Sequence, residues 1–397
     1  MIQTSTNSNR VVSIDLLRGV VMILMALDHI RDYFHYDAFY FVPTVIEYTN
    51  SPLFFTRFIT HFCAPVFVFL AGTSAFFVGR RLDKKSLSIW LIKRGLWLVF
   101  LEFTVVKFAW YFQLDFSLLE AMVIWALGIG MICLAGAIHL PKKWIIVISL
   151  IGIAGHNLLD GIQFDSTWAY NLLAIFHEST ILKGTGSFVI WSYYPLIPWI
   201  FLMPLGYCMG ELYTSSFPAG QRTKILMQIG LGLTVGFFVL RLWNVYGDLE
   251  PWATQPTFEQ TVWSFFNVTK YPPSLLYLMI TMGPSLIFLS IAEKWSTSSI
   301  MEKIITLGRV PMFFYLIHLF VIHLLAMLAA VMMGWDWSFM ILEIWITDLP
   351  RIRGYGFSLP VVYVIWISMI VFILYPLSKA YHNYKMNNKD RWWLSYL

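Results

Sequence analysis

Residues 18–34 read RGVVMILMALDHIRDYF, in which nine consecutive apolar residues separate Arg18 from a polar cluster. The members of that cluster are Asp28, His29, Arg31 and Asp32. With the apolar residues before Arg18, the run predicts a first transmembrane helix over 13–33, because a bilayer core needs about 20 mostly apolar residues per helix. Ionisable side chains inside such a segment are energetically expensive, so by default they indicate a function.

The composition of the whole chain points to a membrane. Of its 397 residues, 58% are hydrophobic and 12% are charged, and the mean hydropathy is +0.68. Soluble domains average about 45–50% apolar and about 25% charged residues. The net charge of +5 is small, and Lys and Arg are scattered between apolar runs, which argues against a nucleic-acid partner. We therefore predict an integral membrane protein surrounded by membrane lipids.

Ten apolar segments can cross a bilayer as helices, since a helix or a closed barrel is needed to pair backbone polar groups in lipid. They span residues 13–33, 62–79, 88–110, 118–139, 144–160, 188–211, 225–245, 272–292, 306–333 and 359–379. The sequence thus predicts an all-α, polytopic integral membrane helical bundle of about 10 transmembrane helices. Without a repeat or an evident linker, we treat residues 1–397 as a single membrane domain.

The distribution of basic residues predicts the orientation. One face collects 19 of the 27 Lys and Arg residues, in connections such as GRRLDKK (79–85) and PKKW (141–144). By the positive-inside rule this face is cytoplasmic, which places both termini in the cytoplasm and the chain in the cell (inner or plasma) membrane. The opposite face carries longer loops rich in Trp, Tyr and carboxylates, which suit a polar acceptor such as a sugar.

Helical geometry relates the charges of the first helix. Arg18 and His29 are 11 positions apart, so they lie on nearly the same face and about 16 Å apart along the axis. Asp32 follows His29 by three positions and can reach it along the helix surface, as Asp28 can reach Arg31. One helix face therefore carries a cation near the cytoplasm and an imidazole near the far side.

Plainer interpretations of these charges stay open. Asp15 and Arg18 can form a structural ion pair or a topology anchor. The cluster after the apolar run can be a solvated helix end.

Other predicted spans carry ionisable groups at similar depths. Arg94 and Arg309 lie near the cytoplasmic ends, Glu102 lies deeper, and His61 opens the second span at the outer rim. His318 and His323 are five positions apart, hence about 140° apart on a regular helix. At most one of these two is expected to be catalytic.

Four segments carry a family resemblance: RVVSIDLLRGVVMILMALDH (10–29), FCAPVFVFLAGTSAFF (62–77), FNVTKYPPSLLYLMITMGP (266–284) and GRVPMFFYLIHLFVIH (308–323). They resemble the bacterial branch of the heparan-alpha-glucosaminide N-acetyltransferase family. Ile14, Asp15, Arg18 and His29 also match the I-D-x-x-R and helix-end His of the acyltransferase-3 enzymes. The resemblance implies acetyl transfer from cytoplasmic acetyl-CoA to an acceptor across the membrane, with the His as base and the Arg essential.

The resemblance is not uniform at the histidines. The lysosomal heparan enzyme has Asn at the position matching His29, and its active histidine lies further into the luminal loop, where His35 is the nearest counterpart. It has Asp at the position of His61. His29 is therefore the first candidate for the base, His35 is the reserve and His61 the third, and the family alone does not make heparan the acceptor.

The chemistry assigns roles to these residues. Imidazole is the side chain whose ordinary pKa suits a base that takes a proton from an acceptor at neutral pH, and Asp32, or alternatively Asp28, would orient it. Guanidinium groups pair with phosphate, so acetyl-CoA is expected at Arg18, Asp15, Arg94 and Arg309. The remaining ionisable groups are assigned to the acceptor: Arg31, Glu102, His318, His323 and Lys270. No metal is expected.

Other functions stay open. A proton-coupled transporter of a small polar solute also uses intramembrane Asp, His and Glu, and a non-catalytic scaffold is a third reading. For an enzyme, the sequence leaves open the acceptor, N- or O-acetylation, and direct transfer or an acetyl-histidine intermediate. A second copy of the chain is a candidate partner.

Overall fold

The computed structural model describes residues 11–295 and 298–395 and confirms an all-α polytopic architecture. The α-helices are α1 (Val12–Phe34), α2 (Ser51–Thr60), α3 (Cys63–Gly79), α4 (Lys84–Leu101), α5 (Lys107–Tyr111), α6 (Val123–Ala137), α7 (Lys142–Gly155), α8 (Thr167–Phe176), α9 (Trp199–Met209), α10 (Ala219–Trp243), α11 (Phe258–Phe266), α12 (Leu275–Ala292), α13 (Ser299–Gly308), α14 (Pro311–Met332), α15 (Leu359–Met369) and α16 (Tyr375–Asn387). One-turn π-helices at Glu102–Val106 and Ile370–Leu374 join α4 to α5 and α15 to α16.

Among the described residues, six helical stretches are long and apolar enough to cross a membrane. They are Ser51–Gly79, Lys142–Leu159, Ala219–Trp243, Leu275–Ala292, Pro311–Met332 and Leu359–Asn387. Helix α1, with 23 residues, is also long enough to cross a membrane. It is not among the six because charged side chains interrupt its apolar sequence. Large apolar side chains such as Val239, Leu242 and Phe372 are exposed on the outer helices, as expected for surfaces that face lipid tails.

Three short strands lie in the connections between the helices, one between α5 and α6 and two between α8 and α9. They are β1 (Leu118–Glu120), β2 (Thr180–Ile181) and β3 (Val189–Ser192), in the order β1-β3-β2. Strand β3 runs parallel to β1, with Leu118 opposite Val189, and antiparallel to β2.

Three predicted spans are wrong in their extent. The span over 118–139 begins as strand β1, and helix α6 starts only at Val123. The span over 188–211 begins as strand β3, and helix α9 starts only at Trp199, because the prolines at 195 and 198 prevent earlier helical hydrogen bonding. The span over 306–333 is divided into α13 and α14, with Pro311 as the first residue of the second helix, a position that proline favours.

Helix α1 lies at the centre of the bundle. It contacts α2, α3, α12, α13, α14 and α15, and 16 of its 23 residues are buried. Its closest neighbour is α13, because two glycines remove side-chain bulk from the interface: a Cβ atom on Gly308 would lie 1.9 Å from the Asp15 carbonyl oxygen, and one on Gly19 would lie 2.1 Å from that of Ile304. Small residues allow such close helix contacts in membranes. This packing brings the backbone of Gly308 beside Arg18.

Candidate active site

Two chambers lie against opposite ends of α1. The His29 chamber has a volume of about 100 Å³ and adjoins the C-terminal end of the helix. Its lining combines the polar cluster of α1 with side chains from the loops and from other helices, among them Arg57, Trp110, Tyr193, Lys270, Tyr271, Tyr315 and Trp345. The chamber therefore collects ionisable and aromatic groups from sequence segments that are far apart.

The Arg18 chamber adjoins the N-terminal end of α1 and has a volume of about 310 Å³. Three arginines line it, one each from α1, α4 and the α13–α14 junction: Arg18, Arg94 and Arg309. The remaining lining is mostly apolar and includes Trp90 and Met131. The structure thus brings together the three arginines assigned to CoA from the sequence.

The two chambers adjoin each other. Phe67 on α3, Val123 at the start of α6 and Tyr315 on α14 line both. A molecule that occupies both chambers would therefore pass these three side chains, alongside the apolar middle of α1.

Asp28 is held by two arginines. Its Oδ1 lies 2.9 Å from Arg31 Nη2, and its Oδ2 lies 2.6 Å from Arg57 Nη1 on α2. All three side chains are largely buried, so each charge is compensated at short range, as buried charges require. The Asp28 carboxylate therefore has a structural role in the wall of the chamber.

Asp32 is the carboxylate that faces His29. Its Oδ2 lies 3.7 Å from His29 Nδ1, while its Oδ1 accepts a 2.5 Å hydrogen bond from Arg31 Nη2. Arg31 therefore bridges the two carboxylates of the helix end. Of the two carboxylates considered from the sequence, Asp32 is the one placed to orient the imidazole.

The His29 ring is enclosed by aromatic groups. Trp110 meets it edge-on at a centroid distance of 4.8 Å, and His318 of α14 lies at 5.2 Å. His318 Nδ1 lies 2.9 Å from the Phe314 carbonyl oxygen, so this nitrogen carries the hydrogen. His318 Nε2 is buried without a hydrogen-bond partner in the described parts of the chain. The His29–His318 pair joins α1 to α14 at the chamber.

In the Arg18 chamber, Arg18 is fixed by three contacts. Its Nη1 donates to Asp15 Oδ1 at 3.0 Å and to the Gly308 carbonyl oxygen at 3.1 Å, and its Nη2 donates to Ser74 Oγ at 3.0 Å. Asp15 Oδ2 also lies 3.7 Å from Arg309 Nε. The predicted Asp15–Arg18 ion pair is present, and it also orients a second arginine of the chamber.

Arg94 extends from α4, with its guanidinium carbon 5.5 Å from the centre of the Trp90 ring. An arginine over an indole face is held by cation–π attraction. This contact places a third cation among the residues that line the Arg18 chamber.

Six sequence-predicted residues lie outside the linings of both chambers. Two of them contact a lining residue, Asp15 through Arg18 and His318 through His29, and the other four are held elsewhere. His35 contacts the Phe357 carbonyl oxygen through Nδ1 at 3.0 Å and so joins the end of α1 to a distant loop. His61 is buried under Tyr277, with ring centroids 5.4 Å apart. Glu102 Oε2 accepts from the Trp125 backbone N–H at 2.8 Å and caps α6. His323 has both ring nitrogens near backbone carbonyls, those of Ala109 (3.0 Å) and Met340 (2.7 Å).

The sequence reasoning missed several chamber residues. Arg57 is the most important, because it pairs with Asp28 across 29 positions of sequence. Trp110 and Tyr315 were also missed, since an aromatic residue in an apolar span gives no sign that it faces a cavity. Their only sequence signal was membership in segments that also carry ionisable groups.

Comparison with known protein families gives one match. The catalytic region of the heparan-alpha-glucosaminide N-acetyltransferase family matches residues 10–236, more than half of the chain. The matched region contains Arg18, His29, Arg57 and Arg94 and ends before Lys270. A search of curated proteins gives no match. The chain belongs to the heparan-alpha-glucosaminide N-acetyltransferase family, and its helices are those of a membrane-embedded member.

Proposed function

We propose that the protein transfers an acetyl group from acetyl-CoA in the Arg18 chamber to an amino-sugar or other glycan acceptor in the His29 chamber. The proposal rests on one observation: two adjoining chambers lie at the two ends of one helix, and Arg18 lines one of them while His29 lines the other. Both termini and the Arg18 chamber would face the cytoplasm, where acetyl-CoA is made, and the His29 chamber would face the outer side of the cell membrane.

The Arg18 chamber suits the phosphates of CoA. Arg18, Arg94 and Arg309 line a mostly apolar cavity, where charge-assisted hydrogen bonds to phosphate are stronger than in water. Arg18 is already oriented by Asp15 and Ser74, so little side-chain entropy is lost when phosphate binds. The long arm of CoA would then extend past Phe67 and Tyr315 toward His29.

The His29 chamber supplies the base. Because Nδ1 of His29 faces Asp32, Nε2 is the nitrogen that meets the acceptor. It takes a proton from the acceptor N–H or O–H as that nitrogen or oxygen attacks the thioester carbonyl. The new C–N or C–O bond forms, the C–S bond breaks, and the electron pair leaves with the CoA sulfur. The proton passes from His29 to that thiolate, giving acetylated acceptor and free CoA thiol.

The groups around His29 would support this cycle. Asp32 stabilises the imidazolium that forms when His29 accepts the proton, as the carboxylate does in a catalytic triad. His318 packs against the ring and limits its rotation. Trp110 also contacts the ring edge-on and would help to exclude water, which protects the thioester from hydrolysis.

The acceptor would bind at the loop side of the His29 chamber. Tyr193, Tyr271 and Trp345 line it there and offer flat faces for a sugar ring. Lys270 lies 5.1 Å from the centre of the Tyr271 ring, and in the described ranges no carboxylate lies within 4.0 Å of its ammonium group. It would hydrogen-bond acceptor hydroxyls or pair with an acidic substituent.

The test is CoA release by the purified protein with labelled acetyl-CoA and a panel of amino sugars and polysaccharides. We expect acceptor-dependent release in the native protein and its loss in His29→Gln. His35→Gln is the matched control and is expected to retain turnover. Turnover in His29→Gln equal to the native rate would exclude His29 as the base, and absence of CoA binding to the native protein would exclude the enzyme. Acid quenching without acceptor would show label on the protein if an acetyl-histidine forms.

A further inference from the structure

We propose that Phe67, Val123 and Tyr315 form a constriction that sets the length of the acyl group and restricts the donor to acetyl-CoA and its nearest homologues. The inference rests on the proposed function, since it concerns which acyl-CoA the same site accepts. It goes beyond that function because it assigns donor selectivity to three residues that neither bind phosphate nor handle a proton.

Their position supports this role. Of all the residues that line the two chambers, these three are the ones common to both. They come from three different helices, α3, α6 and α14, and lie where the two chambers meet. The thioester must reach this level for its carbonyl to lie near His29, and any extra carbon on the acyl group must then fit at or beyond the constriction.

The space beyond the constriction is small. The His29 chamber has a volume of about 100 Å³, about a third of the volume of the Arg18 chamber. An acetyl group has three non-hydrogen atoms, and the reacting atom of the acceptor must share the same space. The Arg18 chamber, at about 310 Å³, does not impose this limit. Size selection therefore belongs to the constriction and the His29 side of it.

The three helices are held so that the constriction cannot simply widen. Helix α3 packs on α9 through glycine: a Cβ atom on Gly72 would lie 1.9 Å from the Met203 carbonyl oxygen. Helix α6 packs on α4 in the same way, with a Cβ atom on Gly95 predicted to fall 2.5 Å from the Gly128 carbonyl oxygen. Tyr315 is itself buried and packs on His318, with ring centroids 5.6 Å apart. A rigid wall is what a size filter requires.

The effect of substrate size on kcat/KM has a known magnitude. One methylene in an apolar pocket changes kcat/KM by about 10- to 200-fold. Truncation of Phe67 removes an aromatic ring and so makes room for several carbons, whereas truncation of Val123 makes room for fewer. The two variants should therefore relax the selectivity to different extents.

The experiment compares kcat/KM for acetyl-, propionyl-, butyryl- and hexanoyl-CoA with one acceptor. We expect the native protein to prefer acetyl-CoA, and the butyryl-to-acetyl ratio to rise about 10-fold or more in Phe67→Ala and less in Val123→Ala. Tyr315→Phe keeps the ring, and Met131→Ala enlarges only the Arg18 chamber, so both should keep the native ratio. If Phe67→Ala does not fold, Phe67→Leu takes its place in the experiment.

The outcomes separate this inference from the function on which it rests. Acetyl transfer with a native chain-length ratio in both Phe67 and Val123 variants would overturn the constriction and leave the function intact. An equal rise of the butyryl-to-acetyl ratio in Met131→Ala would also overturn the constriction, because selection by acyl length would then lie in the Arg18 chamber. Absence of acyl-CoA binding to the native protein would overturn both.

Discussion

The imidazole rings of His29 and His318 lie 5.2 Å apart, on α1 and α14. The two residues are 289 positions apart in the sequence, and only the fold brings their rings together. His318 donates from Nδ1 to the backbone of its own helix, which fixes its ring against His29. The position of the proposed base therefore depends on how α14 packs on α1.

Replacing His318 by Leu should lower kcat by about 10- to 100-fold, since a small misplacement of a catalytic group has an effect of this order. The affinity for CoA should stay close to native, because the Arg18 chamber does not include His318. Steady-state kinetics with a separate CoA-binding measurement check this prediction. The control is Leu319→Met, on the same helix. His323→Leu is unsuitable because it removes two contacts with backbone carbonyl groups. A loss of CoA affinity equal to the loss of kcat would contradict the assigned role.

Replacing Asp32 by Asn should lower kcat with little change in CoA affinity. The carboxylate lies 3.7 Å from His29 Nδ1, and an amide cannot offset the positive charge that the ring acquires when it accepts a proton. We expect a loss of about 10- to 1000-fold, in the range of general-base effects. Asp37→Asn is the comparison, because Asp37 is the partner of His35 and not of His29. Equal kcat values for the two variants would assign Asp32 a purely structural role.

Replacing Arg18 by Ala should weaken CoA binding by about 10- to 100-fold, which corresponds to one lost charge-assisted hydrogen bond to phosphate. Arg18→Lys should recover only part of this affinity, because an ammonium group cannot contact Asp15, Ser74 and phosphate with the geometry of a guanidinium. Isothermal titration with CoA measures both variants. Native CoA affinity in Arg18→Ala would show that Arg18 has only a structural role in its ion pair with Asp15, an interpretation that the sequence also allows.

Replacing Gly308 by Ala should destabilise the protein, because the new Cβ would lie 1.9 Å from the Asp15 carbonyl oxygen and force α13 away from α1. Overpacking of this kind costs about 1–3 kcal/mol, and it should also weaken CoA binding through the displaced Gly308–Arg18 contact. Gly232→Ala is the control, since nothing lies within 4 Å of its Cβ. Thermal unfolding in detergent compares them. Equal Tm values for the two variants would show that the α1–α13 contact is looser than described.

Replacing His35 by Gln should make stability less dependent on pH. Burial lowers the pKa of the His35 imidazole, so below about pH 6.5 the unfolded chain binds this proton more readily than the folded one. Its contribution to stability is therefore complete above about pH 6.5 and is lost as the pH falls toward the lowered value. Tm measured from about pH 7 to pH 5 should fall less in the variant; identical slopes would contradict this prediction.

Much of this site could be predicted from helical spacing. The positions of Arg18 and His29 on α1, the Asp15–Arg18 pair and the Asp32–His29 contact all follow from residues three or eleven positions apart on one continuous helix. Spacing cannot predict contacts between helices. The Arg57–Asp28 pair and the His29–His318 pair depend on packing between α1, α2 and α14, and no local pattern encodes it.

The errors in the fold have local causes. The run at 188–211 is apolar enough for a span, yet its β-branched and aromatic start pairs with β1 as strand β3, because β propensity depends on the neighbours available. The span predicted over 306–333 runs through Pro311, although proline at a first helical position begins a new helix. In both places the position of proline, and not the apolar composition, determines where the helix begins.

In the proposed reaction, acetyl moves from a donor on one side of the membrane to an acceptor on the other. The most direct measurement uses proteoliposomes sorted for a single orientation, with an impermeant amino-sugar polymer sealed inside and labelled acetyl-CoA outside. We expect label on the enclosed polymer when the side bearing the Arg18 chamber faces outward, and none with His29→Gln. Label on the polymer only when donor and acceptor share one side, or uptake of free sugar without acetyl-CoA, would contradict it.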